Sequence, residues 1–431
     1  MARRSWLACA LAFVLVAAAA CSRPSDESAT PGVTDTTVTI GSHQPLSHPL
    51  APAWGQLPLA AKAYFDHVNA NGGVHGRKII FTYRDDGGEP DNSIKVVQNL
   101  VEKDKVFAIL AGWGADSHAA VIDYLNSRKV PDLIPNGGSA RFNNPVKLPY
   151  TFGWYSSLRE GKILGDYISK AFPGKKVAYF YQRDEVGESG IKGLDKVIPP
   201  SSVVARESYL LGETDVTAQM RAIHRAKADV IVSFSLTNYN VLLRLAQKKL
   251  GNTARLVLVS TGSDPTTLSG LLTSATGDPA TGSSMIQGII TNAWLVPVSD
   301  TSNSWIVLVK MIHDRYLSGR PLDRYTEMGV AAAYLFVEAL QRTGRNLTRQ
   351  SLVDTLEKGG LSPGLGLTPL DYSRTSHAGY AGAQIGVIKG NAIVLQGKPM
   401  ITDDGAGPVV PYTAPLPRPP ASGIPPPPPQ G

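Results

Sequence analysis

Two glycine-centred turns carry the residues best suited to chemistry. In FAILAGWGADSH, residues 107–118, an apolar run ends in Gly112-Trp113-Gly114. Ala115, Asp116 and Ser117 follow, and then the helix-like AAVIDYLNSRK. In PNGGSARF, Gly137, Gly138 and Ser139 come after a second strand-like run, VPDLIPN. A strand, a glycine turn and a helix start leave backbone N–H groups free, with the helix dipole behind them. That arrangement suits a carboxylate or a phosphate. It also serves merely to turn a corner. A phosphate loop needs GxxxxGK followed by Ser or Thr, and neither turn has it.

Other reactive residues form no constellation. The eight histidines contain no HxxH or HExxH pair, and His43 and His48 stand alone near the start of the chain, which argues against zinc. There is no GxSxG elbow. Ser117 and His118 are adjacent, and adjacent side chains point apart. His224 and His313 lie on helix-like segments and read as surface or packing residues. Asp85-Asp86 precedes a helix-like segment and reads as its cap. No cofactor or metal and no catalytic group is expected.

The elements that hold these turns alternate. VTIGSHQPL reads as a strand and LAAKAYFDHVNANGG as an amphipathic helix stopped by Asn71-Gly72-Gly73. KIIFTYRDD is a strand, NSIKVVQNLVEKD a helix, VFAIL a strand. This βαβαβ order predicts an α/β fold with a parallel sheet covered on both faces. After Tyr150 the pattern restarts with EGKILGDYISKAF and KKVAYFYQRD and runs to ARLVLVST, a second α/β unit of similar size. SMIQGIITNAWL crosses back, two more helices follow, and AGAQIGVIKG with NAIVLQG closes the body as a hairpin. Two such lobes with several crossings bury a cleft between them.

Length, ends and charge bound the rest. The 431 residues suit two domains, and a hydrophobic content of 43% with 18% charged is globular. A net charge of +7, without a basic block, argues against nucleic acid. Arg3 and Arg4 precede the apolar stretch Trp6–Ala20, which ends in AAAC. That resembles a lipobox, with residues 1–20 a signal peptide and Cys21 the lipid-modified first residue of the mature chain. The paired arginines also allow a twin-arginine export route. The other of the two cysteines, Cys9, lies inside the signal, so the mature body is expected to hold no disulfide. Residues 21–34 read as a tether. Residues 404–431, closing in GIPPPPPQG, read as a disordered, polyproline-like tail.

NANGGVHGRKIIFTYRDDGGEPDNSIKVVQNLVEKDKVFAIL resembles the first lobe of periplasmic-type (type I) binding proteins for branched-chain amino acids and amides, the receptors of ABC importers. Gly72, Gly73, Val74, Gly76, Arg77, Lys78, Asp85 and Asp86 fit the family pattern, and the likeness continues through YTFGWYSSLREGKILGDYI and KKVAYFYQRDEVGESGIKGL. The resemblance implies two doubly wound parallel-sheet lobes joined by three crossing segments, closing on ligand like a hinged clamp. Lobe 1 is then 35–154 with 293–367, and lobe 2 is 155–292 with 368–403. It puts Gly114, Ala115 and Asp116 of one turn, and Gly137, Gly138 and Ser139 of the other, around the ligand carboxylate or amide. Trp54 falls where the family carries an aromatic over the ligand, with Trp113 a second wall and Tyr155 a weaker candidate.

The second lobe departs from the family. Where amino-acid receptors place an acid for the ligand ammonium, this chain has Thr261, with Asp264 three residues on. Two positions that commonly hold tyrosine read Val186 and Ser235. A buried ammonium without a carboxylate is costly, so the ligand is expected to be a carboxylate or amide with an apolar body rather than an ordinary amino acid. The implied protein is a monomeric, extracytoplasmic lipoprotein that hands a small molecule to an ABC permease. A ligand-sensing regulator of a partner protein is the alternative reading, and a neighbouring permease gene separates the two.

Overall fold

The computed structural model describes residues 30–428. The signal peptide, Cys21 and most of the tether lie outside the described residues.

The first sheet is wholly parallel. Its strands are β1 (Thr37–Gln44), β2 (Lys78–Asp85), β3 (Ile109–Leu110), β4 (Asp132–Leu133) and β5 (Thr151–Phe152), in the order β2-β1-β3-β4-β5. The helices Gln56–Ala70, Pro90–Glu102 and Asp116–Ser127 connect them. Val97, Leu100, Val121 and Leu125 fall at helical spacing and pack with Ile109 into one buried cluster.

The second sheet repeats the plan with β6 (Val177–Gln182), β7 (Val203–Tyr209), β8 (Val230–Phe234), β9 (Arg255–Leu258) and β10 (Ile290–Ala293). These run in parallel in the order β10-β9-β8-β6-β7. The strands β11 (Leu370–Ser373) and β12 (Ser376–Tyr380) form a separate antiparallel hairpin. Then β13 (Gly382–Lys389) joins β10 antiparallel, with β14 (Ala392–Leu395), β15 (Met400–Ile401) and β16 (Val410–Pro411) completing that edge. In this lobe the helices Ser157–Ala171 and Glu185–Asp195 cross closely: a methyl on Gly161 would stand 2.2 Å from the Gly190 carbonyl.

The chain crosses between the sheets after β5, after β10 and before β13. Trp154, Tyr155, Trp294 and Tyr380 meet there, with Trp154 edge-on to Trp294 at 4.8 Å and Tyr155 stacked on it at 4.8 Å. Backbone bonds tie the crossings to one another: Leu367 N–H donates to the Trp294 carbonyl (2.9 Å) and Tyr380 N–H to the Trp154 carbonyl (2.8 Å). Between the second and third crossings the helices Ser304–Tyr316 and Arg324–Thr343 return to the first lobe. Arg324–Thr343 is capped by Asp323, whose side chain accepts from Thr326 N–H, and is buried over most of its length.

The Pro-rich end is a correction. From residue 404 to 428 the chain lies along the body instead of forming a disordered tail. Lys162 Nζ donates to the Asp403 carboxylate (2.9 Å), and Arg159 Nε to that of Asp404 (2.9 Å). Both cations are buried on the helix Ser157–Ala171. Farther on, Trp305 Nε1 donates to the Pro417 carbonyl (2.8 Å) and Tyr64 Oη to that of Gly423 (2.7 Å). A proline-rich strand has few N–H groups but a full set of carbonyls. Here aromatic donors of the body take those carbonyls, while Leu416 and Ile424 pack on the core. The segment runs from a second-lobe helix to first-lobe helices.

Candidate ligand cleft

A cleft of about 390 Å³ opens between the sheets. Every segment lining it follows the carboxyl end of a parallel strand, where open α/β sheets leave room for a ligand. A larger hollow of about 590 Å³ lies at the far side of the second lobe. Only that lobe lines it, and Lys175, Asp229 and Arg244 there are already engaged with each other or with the main chain.

The first-lobe wall is mostly backbone. Past β3 the chain turns through Ala111 to Gly114, and past β4 through Ile134 to Gly137. The two turns are zipped together. Asn136 N–H donates to the Gly112 carbonyl (2.7 Å), and Gly114 N–H to the Asn136 carbonyl (3.2 Å). Gly114 has φ +97°, and a methyl there would stand 2.1 Å from Ser117 Oγ. Ser117 Oγ donates to the Trp113 carbonyl (2.9 Å), closing the turn just inside the helix Asp116–Ser127. The first-turn amides of that helix have no intrahelical acceptor. Trp113 meets Trp54 edge-on at 6.1 Å, and Trp54 leans on Tyr325 at 5.0 Å.

The second-lobe wall is mostly side chain. Gln182 ends β6, with Arg183, Asp184, Val186 and Gly187 after it; Leu210 and Leu211 follow β7; Phe234 ends β8, with Ser235 and Leu236 after it; and Val259 with Thr261 follow β9. Asp184 caps the helix Glu185–Asp195: its Oδ1 accepts from Gly187 N–H (2.9 Å). Burial pushes its carboxyl up to about 6, against these hydrogen bonds. Asp116 stands opposite on the exposed lip, and burial and then Glu185 raise its carboxyl too.

Of the residues singled out in the sequence, Trp54, Trp113, Gly114, Ala115, Asp116, Gly137, Val186, Ser235 and Thr261 all line this cleft, as does Tyr155. Gly138 and Ser139 do not. A methyl on Gly138 would stand 2.4 Å from Ser157 Oγ, so this residue packs at the first crossing. Ser139 Oγ donates to Glu185 Oε2 (3.0 Å), Arg141 pairs with the same carboxylate, and Ala140 N–H donates to Ser189 Oγ (3.1 Å). That second turn clasps one lobe to the other beside the cleft.

One open question is answered and two expectations are corrected. Asp264 does not line the cleft; its carboxylate caps the helix Pro265–Thr276, accepting from Thr267 N–H (2.8 Å). The second-lobe wall does hold an acid, Asp184, so the argument against an ammonium loses its premise. The pair Asp85-Asp86 does not cap the helix Pro90–Glu102, whose N-cap is Glu89. Asp85 accepts from Ser47 N–H (3.0 Å) and Gly87 N–H (2.9 Å), while Asp86 turns inward to His43.

Asn136, Arg183, Asp184, Leu210 and Leu211 also line the cleft, without a local mark in the sequence. Asn136 and Ser235 are 3% and 4% exposed, and among the described residues both amide atoms of Asn136 and the hydroxyl of Ser235 have no partner. Buried polar atoms are rarely left so. Leu210 and Leu211, at 45% and 42% exposed, form an apolar lip. The cleft thus offers helix-start amides, an amide with donor and acceptor free, a hydroxyl, carboxylates and apolar walls. Among the described residues no group of His, Cys, Asp and Glu could hold a metal ion, and no helix is long and apolar enough to cross a membrane.

Comparison with known proteins agrees with this architecture. The family model described as "Periplasmic binding protein" matches residues 37–392. An "Amino acid binding protein" of Pseudomonas aeruginosa is 25% identical over 257 residues, 56% of this chain and 68% of the relative. Two Leu/Ile/Val-binding proteins, of Brucella melitensis and Rhizobium johnstonii, are matched over 53% of their length, and one of Brucella abortus over 85% at 22% identity. A branched chain amino acid ABC transporter protein from Thermus thermophilus, solved with bound valine, superposes with a TM-score of 0.74 at 19% identity, over 86% of this chain and 98% of that one. A fatty acid ABC transporter substrate-binding protein from Thermomonospora curvata gives 0.73 at 20% identity, over 87% and 95%.

Proposed function

The chain belongs to the periplasmic binding protein family, and on that premise we propose that it is the extracytoplasmic receptor of an ABC importer, tethered to the membrane by lipid on Cys21. It binds one small molecule between its lobes and presents it to a permease without altering it. The ligand is a carboxylate, an amide or an amino-acid-like compound with an apolar body. The observation that carries this reading is the cleft itself. The lining comes from strand ends of both lobes, and buried Asn136 and Ser235 face it with unpaired polar atoms.

Lobe closure is the mechanism. Open and closed forms exchange, and a molecule touching both walls favours the closed one by its differential affinity. Helix-start amides and Asn136 hold an acceptor-bearing head group, Asp116 and Asp184 accept from a donor, and Trp54, Trp113, Phe234 and Leu236 cover the body. The relatives named for amino acids and the neighbour named for a fatty acid support a head group joined to apolar carbon.

Native mass spectrometry of the freshly purified chain, followed by denaturation and identification of whatever is released, tests this. A stoichiometric small molecule with a polar head and apolar body is expected. A chain that stays empty and also shows no thermal shift with carboxylates, amides or amino acids defeats the receptor reading.

A further inference from the structure

Directly beneath the first-lobe turn lies a chain of four fully buried side chains. Asp86 Oδ2 is 2.6 Å from His43 Nδ1, His43 Nε2 is 2.9 Å from His118 Nδ1, and His118 Nε2 is 2.9 Å from Asp132 Oδ2. The two rings lie nearly parallel, 7° apart. Each end is fixed from other elements. Ser93 Oγ donates to Asp86 (2.7 Å), and Thr151 Oγ1 to Asp132 (3.0 Å). Phe142 stands edge-on to His118.

Counting hydrogens gives the number of protons this chain of contacts holds. Three hydrogen bonds in series need three protons. Two neutral imidazoles supply two, one to each carboxylate. The central bond between the rings therefore needs one more, shared by the pair. Two carboxylates and one such imidazolium pair leave a single negative charge, met by the Ser93 and Thr151 hydroxyls and the Gly88 N–H on Asp86 Oδ1. Burial holds the His43 ring below the ordinary imidazole value, against the Asp86 hydrogen bond; of the charged groups facing it, His118 also opposes the extra proton, while Asp86 and Asp132 favour it.

The cradle rests on that central bond. A methyl on Gly112 would stand 2.6 Å from both His118 Nδ1 and His43 Nε2, so the turn's backbone touches both rings. The His43 carbonyl accepts from Trp113 N–H (3.2 Å), and Asp86 Oδ1 holds Gly88 of the neighbouring cleft loop.

We propose that Asp86, His43, His118 and Asp132 are positioning residues for the first-lobe cradle, and that the one proton shared by the two rings sets where the cradle sits. When that proton leaves as pH rises, two nitrogen lone pairs face each other and the rings part. Gly112 lies against them, so the turn through Gly114 shifts with them. The inference rests on the cleft reading for its consequence, but its test needs no ligand.

Histidine-ring and backbone amide NMR of the unliganded full chain, from pH 5 to 9, is the experiment. The His43 ring signals are expected to change in one step with pH, with Gly112, Trp113 and Gly114 amides moving at the same midpoint. His118→Gln abolishes that movement and leaves second-lobe amides unchanged. If that variant does not fold, Asp132→Asn is used; it removes a carboxylate that holds the proton and lowers the midpoint by about one pH unit or more. Cradle amides that stay fixed across the range, or a midpoint indifferent to Asp132→Asn, overturn the proposal. Because the readout is taken on the empty chain, it stands or falls separately from whether the cleft holds a small molecule.

Discussion

The two walls of the cleft are built differently. The first-lobe wall is main chain, two turns bonded to each other and backed by the buried His43–His118 pair. The second-lobe wall is side chains reaching in from four strand ends, Asp184, Val186, Leu211, Ser235 and Thr261 among them. Main chain held by a buried network offers every ligand the same donors. Side chains on loops can change without disturbing the scaffold. Under the proposed function, the first wall is the common grip and the second is where ligands are told apart.

The sharpest break of that comparison is steric. Gly112→Ala drives a methyl between two rings that are hydrogen-bonded at both ends and cannot yield. Overpacking of this kind costs about 2–3 kcal/mol. Leu211→Ser, on the exposed lip of the other wall, changes stability by less than about 0.5 kcal/mol. Denaturant unfolding of the two variants measures both. Equal losses would mean that the walls are not unequal in rigidity.

The hydrogen-bonding test is next in size. Asn136→Ala and Ser235→Ala each remove one polar group that faces the cleft unpaired. A lost hydrogen bond to ligand is worth about 1 kcal/mol, roughly fivefold in affinity. Titration against a panel of carboxylates, amides and amino acids should separate them. Asn136→Ala weakens every binder in the panel, because its wall meets the shared head group. Ser235→Ala reorders the binders. The opposite pattern would exchange the roles assigned to the two walls.

The same difference explains what could be read from the chain alone. Backbone features leave local marks. Alternating strand and helix runs gave the two sheets, and the glycines of 111–118 marked the first turn because Gly114 needs its positive φ. Side-chain features depend on distant partners or on register. His43 looked isolated because its partner His118 is 75 residues away. Asp184 sits two residues before Val186, in a helix-capping position that turns it into the cleft, and the count along the strand end missed it. The second glycine turn looked like the first, yet Ser139 meets Glu185 across the lobes, a contact with no local signature. At the end of the chain, proline content spoke for disorder while the donors that hold it, Tyr64 and Trp305, lie far away in sequence.

The smallest predicted effect concerns Asp184. Its carboxyl is pushed up to about 6, mainly by burial, from an unfolded value near 3.8. The folded chain therefore binds this proton more tightly than the unfolded one. Its contribution to stability is most favourable below about pH 4, falls as pH rises to about 6, and is level above that. Asp184→Asn keeps an oxygen for the Gly187 N–H and removes the titration. The variant should match the parent at pH 4 and gain on it through pH 6. Water in the open cleft screens the charge, so the gain is under about 1 kcal/mol. Unfolding measured at pH 4, 5, 6 and 7.5 reads the difference. A gap that is constant with pH would show that Asp184 is not desolvated by the second-lobe wall. Ligand binding adds a sharper contrast: if an amine-bearing ligand pairs with the ionised Asp184, its presence pulls that carboxyl back down and steepens the pH dependence of affinity between 4 and 6. Asp184→Asn then flattens the second-lobe share of it and leaves the share that Asp116 contributes from the first-lobe lip.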